Sequence, residues 1–126
     1  MMIKYLVISI WGILLYSCSS NDNIDGPTTD SIKLSTNEIK INKNESVETI
    51  TTGGNWWWFS SIKTDNSEIQ YDENDVVING DWYTVTKVTN TSFKINVEEN
   101  TTNMKREFTL TLRAGNYFDS LILIQE

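Results

Sequence analysis

This chain has no histidine, one cysteine and one proline, and each scarcity removes a class of explanation. Without histidine it lacks the commonest general base near neutral pH and the commonest metal ligand. With Cys18 alone, no intramolecular disulfide can close and no thiolate set can hold zinc. Basic residues are also scarce, ten against 17 acidic ones. Nucleic-acid binding needs clustered lysine and arginine, so nucleic acid is not expected as a partner. The same balance disfavours docking of the folded surface on anionic lipid. A neutral partner, or solubility alone, fits the acidic surface better. No cofactor, metal site or catalytic site is expected, and an enzyme is the least favoured class; protein partners are left open.

What the chain does have begins with a targeting segment. Lys4 precedes an apolar run from Tyr5 to Tyr16, "YLVISIWGILLY". A spanning helix needs roughly 20 apolar residues, so residues 1–17 read as a secretory signal peptide. The run ends in Leu15-Tyr16-Ser17-Cys18, which resembles the bacterial lipobox. That resemblance implies acylation of Cys18, which becomes the first mature residue and gives a durable membrane anchor. Loss of Lys4 moves the net charge from −7 to −8. Residues 18–31 then read as the lipidated cysteine and an acidic tether, "SSNDNIDGPTTD", poor in apolar side chains. This stretch resembles the surface-export signals of Bacteroidetes lipoproteins. The expected location is therefore the outer membrane, lipid-anchored at the cell surface, with the periplasmic face as the alternative.

From Ile32 onward the hydrophobic pattern has period 2, the mark of half-buried strands. Ile39 and Ile41 alternate with polar neighbours, as do Phe93, Ile95 and Val97, and again Phe108, Leu110 and Leu112. The final "SLILIQ" is apolar on both faces and belongs in a central or covered position. Turn signals fall at Gly53-Gly54, Asn79-Gly80, Asn100 to Asn103 and Ala114-Gly115-Asn116. Short, regularly spaced strands over residues 32–126 predict an all-β, immunoglobulin-like sandwich of about seven strands. Residues 63–80 break the rhythm. They read as an acidic insertion, a long hairpin or loop projecting from the sandwich.

Four aromatics stand together in "NWWWFSS", residues 55–61. If Ile62 points inward, strict alternation sends Trp56, Trp58 and Ser60 inward with it. Trp57 and Phe59 then face outward, roughly 6.5–7 Å apart along the strand, a spacing suited to stacking on the C–H faces of sugars. A bulge at the preceding glycines leaves this parity unchanged, whereas one inside the run would reverse it. Trp82 is expected in the core with Tyr83 as its outward neighbour. The competing reading buries every ring, because a small sandwich without disulfides draws its stability from apolar burial, and the insertion is long enough to cover an outer face. Asp72, Glu73 and Asp75 read as solvated loop charge, and Arg106 as a loop cap or ion-pair partner.

Four segments in order carry a family resemblance. They are Gly53-Gly54-Asn55-Trp56 running into Trp58 to Ser61, then Asp81 to Val85, then "INVEENTT" (95–102) leading to Arg106, and finally "LRAGNYFDSLILIQ" (112–125). Together they resemble the BACON family, Bacteroidetes-associated domains proposed to bind carbohydrate. The resemblance implies an immunoglobulin-like sandwich and a non-catalytic glycan-binding or surface-interaction role, with Trp57, Phe59 and Tyr83 as the candidate contacts. The alternatives are a structural spacer or assembly component of the outer membrane, and an adhesin-like subunit with a pairing-competent edge strand. Asp30-Ser31-Ile32 and Asp119-Ser120-Leu121 resemble the O-glycosylation motif of exported Bacteroidetes proteins. Ser31, in the tether, is the better candidate of the two.

Overall fold

Alternating apolar side chains become a sandwich core when two sheets turn their apolar faces toward each other. The computed structural model describes residues 30–126 and shows this arrangement. The expected signal peptide (1–17), the acylation site Cys18 and all but the end of the tether lie outside the described residues. In chain order the strands are β1 (Glu38–Ile41), β2 (Ser46–Thr51), β3 (Trp58–Lys63), β4 (Glu68–Gln70), β5 (Val77–Asn79), β6 (Tyr83–Thr89), β7 (Ser92–Val97), β8 (Arg106–Ala114) and β9 (Tyr117–Gln125). Five of them form a sheet in the order β1-β9-β8-β3-β4, and four form a second in the order β2-β7-β6-β5. All pairs are antiparallel except β1 with β9, which run parallel.

The fold class is as expected from the alternation, but the strand count is nine rather than about seven. The difference lies in residues 63–80. They do not project as a hairpin: β4 pairs with β3 on one sheet, and β5 pairs with β6 on the other. Tyr71 and Ile78 from this segment pack into the core. The segment thus closes one side of the sandwich by supplying an edge to each sheet. The terminal strand β9 lies between β1 and β8, the covered position that its apolar pattern requires.

The core is filled from both sheets. Phe108, Leu110, Leu112, Leu121 and Leu123 face Ile50, Val85, Phe93 and Ile95, with Ile32 sealing one end. At the opposite end a buried polar network replaces hydrocarbon. The Gln125 amide donates to the carbonyls of Lys43, Asn44 and Glu98. The Asn100 amide donates to the carbonyls of Met104 and Glu126. Arg106 Nε donates to Gln125 Oε1 at 2.8 Å, and its Nη2 to the Glu98 and Glu99 carbonyls. Asn100, Arg106 and Gln125 therefore staple three loops together, and each buried polar atom so paired avoids the cost of an unmade bond.

Candidate functional site

The aromatic run does not obey the parity expected of it. Trp57 is 1% exposed and Phe59 is fully buried, whereas Trp56 is 63% exposed. The physical reason is a register shift in the pairing of β3 with β8. Phe59 lies opposite Leu112, yet the next pair is Ser61 with Thr111, so Ser60 is an extra residue inside the strand. The bulge lets Phe59 and Ile62 both face the core although three positions apart, an odd separation that regular pleating forbids. The expectation that Trp57 and Phe59 lie on the outward face of the strand is thereby corrected, and so is the core assignment of Trp56 and Trp58. Tyr83 is corrected as well: it is 6% exposed and packs on Phe108, with ring centroids 4.4 Å apart.

Trp57 is held as core by more than area. Its indole N–H donates to Thr52 Oγ1 at 3.0 Å and to the Asn90 carbonyl at 2.8 Å. Lys87 Nζ sits 4.4 Å over its ring and donates to the Trp57 carbonyl. Phe59 and Phe93 each lie 5.6 Å from it, so the three rings form one buried cluster. Trp82, expected in the core, is half-buried at its margin, with the Arg106 guanidinium 4.4 Å over its ring. Arg106 acts as a loop cap, as its position at a strand start suggests.

Reversed parity brings a different set of rings to the surface. Trp58 on β3, Arg113 on β8 and Phe118 on β9 are register partners and form one cross-strand row on the outer face of the five-stranded sheet. Phe118 is 50% exposed, and Trp58 and Arg113 are half-buried. Trp56 extends the row from the preceding loop, meeting Trp58 edge to face at 5.5 Å. The Arg113 guanidinium lies 5.8 Å from the Trp58 ring and 5.1 Å from that of Phe118. Its Nε donates to the Gly115 carbonyl at 2.7 Å, which fixes the plane of the head group.

Two glycines build this end of the molecule. Gly115 opens the two-residue turn between β8 and β9 at a φ of +62°, the left-handed value that the first central position of a II′-type hairpin demands. The Trp56 ring lies beside this turn, its nearest atom 3.5 Å from where a Cβ on Gly115 would stand, an ordinary contact distance. Gly54 lets the loop lie against residues 31–32, because a Cβ there would stand 1.9 Å from the Ser31 carbonyl oxygen. Ser31 itself is exposed, while Asp30 accepts bonds from the Ile32 and Lys33 amides and Ile32 is buried. Ser120 sits in β9, its hydroxyl 3.0 Å from that of Thr111.

A second concave feature, of about 320 Å³, lies at the other end among residues of the β3–β4 turn, Asp81, Trp82, Lys105 and Arg106. Its lining is mainly polar, and of its two cations Arg106 is already engaged with loop carbonyls. Asp72 and Asp75 cap their own turn: Asp75 accepts from the Asp72 amide and Asp72 from that of Asn74. The outer aromatic row is the stronger candidate, because rings at the surface cost hydration that only a partner returns.

Sequence comparison places residues 56–126 within the model of the BACON family, described as "Putative binding domain, N-terminal". The chain belongs to the BACON family. The match begins at Trp56 and spans all the rings just described. No curated protein matches the chain. Among solved structures, a protein from Bacteroides thetaiotaomicron determined by NMR is similar at 24% identity and a TM-score of 0.68, over 87% of this chain and 95% of that one. The M1 domain from titin is similar at 7% identity and a TM-score of 0.51, over 75% of this chain and 92% of that one. A variant of an endo-fucoidan hydrolase from glycoside hydrolase family 107 gives 10% identity and 0.51, over 79% of this chain but 14% of its own length. These likenesses show the immunoglobulin-like sandwich of this BACON domain. The family description points to a binding module.

Alternation alone did not find Trp56, Trp58, Arg113 and Phe118. A usable signal was present, since "LRAGNYF" is a glycine hairpin whose flanking Arg113 and Phe118 share one face, opposite to that of Leu112 and Leu121.

Proposed function

We propose that this chain is a non-catalytic glycan-binding module, carried at the outer membrane by a lipid on Cys18. The observation that carries the reading is the exposed row Trp56, Trp58 and Phe118, seated on a rigid sheet and a tight hairpin. Trp58 and Phe118 are separated by two strand spacings, about 10 Å, on the order of the length of a disaccharide. Sugar rings present C–H faces that stack on such aromatics, and the rings are held before any ligand arrives, so little ordering is lost on binding.

The test is a glycan array with the chain from Ser19 onward, which contains every described strand. Trp56→Ala and Phe118→Ala should each weaken binding by roughly tenfold, equivalent to about 1.4 kcal/mol, while circular dichroism stays unchanged. Binding that survives both substitutions would show that the row is not the site. An array with no signal would leave the spacer reading in front. For the anchor, Cys18→Ser should release the protein from membrane fractions; retention of that variant would sink the lipid assignment.

A further inference from the structure

The row of rings has a cation in its middle, and that cation has capacity to spare. Arg113 uses Nε on the Gly115 carbonyl, while Nη1 and Nη2 make no hydrogen bond among the described residues. The other guanidinium in the fold is treated differently: Arg106 spends both Nε and Nη2 on Gln125 and two loop carbonyls. The Arg113 head group lies between the Trp58 and Phe118 rings, so the fork is oriented and partly desolvated.

No carboxylate from the outer face of this sheet stands beside it. The nearest acidic positions there are Glu38 and Glu68, on register rows with Ile122 and Thr109. Ile122 and Thr109 are themselves register partners, and their shared row is four residues along the strand from the Phe118–Arg113 row, roughly 13 Å, beyond a Debye length of about 8 Å at physiological salt. Asp119 follows Phe118 but belongs to the opposite face of β9, where it accepts from Asn37 Nδ2 and the Ser120 amide. Asp30 is occupied by the Ile32 and Lys33 amides. A hydroxyl pair, Thr111 and Ser120, forms the next outward row and offers hydrogen bonds to sugar hydroxyls.

We infer that the platform takes an acidic saccharide, with the Arg113 Nη groups holding its carboxylate or sulfate while Trp56, Trp58 and Phe118 stack on the sugar rings. This rests on the platform reading and adds the chemical class of its ligand. Charge-assisted bonds from a planar fork are about twice as strong as neutral ones, and the flanking rings exclude water from them. The net charge of the chain, −7, repels polyanions at long range, so any preference for an anionic glycan must arise from this local cation.

The test uses matched polysaccharides and the full chain in neutral detergent. Polygalacturonate is compared with its methyl ester for carboxylate, and dextran sulfate with dextran for sulfate. Expected is at least tenfold tighter binding to one charged member than to its neutral partner, lost at high salt. Arg113→Gln should erase that preference while keeping the weaker neutral binding, and Arg113→Lys should restore part of it. Equal affinity for charged and neutral members would overturn the acidic-ligand inference and leave the platform standing. No glycan binding together with uptake of the chain from Ser19 onward, which lacks Cys18, on uncharged phosphatidylcholine vesicles would overturn both, making the row a lipid-facing patch. A preference for the charged member that persists in Arg113→Gln would also overturn it, placing the anion elsewhere.

Discussion

Trp56 and Trp57 are adjacent and chemically identical, yet the fold gives them opposite environments. Trp57 fills the core with its N–H doubly bonded, and Trp56 lies beside a glycine turn at the surface. Trp57→Ala should therefore cost about 3–5 kcal/mol of stability, the usual range for removing a buried large aromatic. Trp56→Ala should lie within about 0.5 kcal/mol of the parent. Urea denaturation of both variants checks this, and equal losses would contradict the assignment. The two indoles are also distinguishable by quenching, because only Trp56 is open to a soluble quencher. Nothing in the residue types separates the two; their roles follow from where the chain leaves the core.

At the scale of elements, the strands that alternate cleanly were legible: β7 and β8 carry that pattern, and β9 is marked instead by a run apolar on both faces. The bulge at Ser60 was not, because serine at a bulge carries no composition signal distinct from serine in a strand. Its consequence is large: it decides which pair of rings is core and which is surface. Deleting Ser60 would leave Phe59 and Ile62 two positions apart, so that regular pairing with Leu112 and Leu110 keeps both in the core without a bulge. The expected result is a loss well short of the roughly 3 kcal/mol that emptying a large aromatic core site costs, with tryptophan emission unmoved, read by denaturation and fluorescence. A deletion variant that loses about 3 kcal/mol or more with a red-shifted emission would show that the bulge does not set the parity. The acidic segment 63–80 was misread for a related reason. Strands of three residues are too short to show a period, and β4 and β5 exist because the edges of two sheets are there to pair with.

Across the whole molecule the acid excess, the alternation and the missing histidine act together. The fold is all sheet, with Tyr83 buried and Tyr71 half-buried beside it. Burial raises the Tyr83 phenol above its ordinary value, helped by Tyr71 and Asp81, and burial with Asp75 raises Tyr71. Both groups stay neutral in the folded state at pH values where the unfolded chain ionises. Their contribution is fully present below pH 10 and is lost as pH rises from there through the higher folded values. Stability should thus fall on the alkaline side beginning near pH 10, and Tyr83→Phe should flatten that fall; an unchanged slope in this variant would remove Tyr83 from the account. The sequence by itself determined the fold class and the position of the last strand, because period-2 alternation and turn chemistry are local properties that survive in any register, and the family was legible in the resemblance of four ordered segments. Residues 56–59 show what it left open. Which tryptophan meets solvent depends on one extra residue placed between two paired strands, and a register is set only when both strands and the core between the sheets are present. The same tertiary step put Trp58, Arg113 and Phe118, distant in sequence, into one row. That juxtaposition, and the acidic ligand inferred from it, belongs to the folded molecule alone.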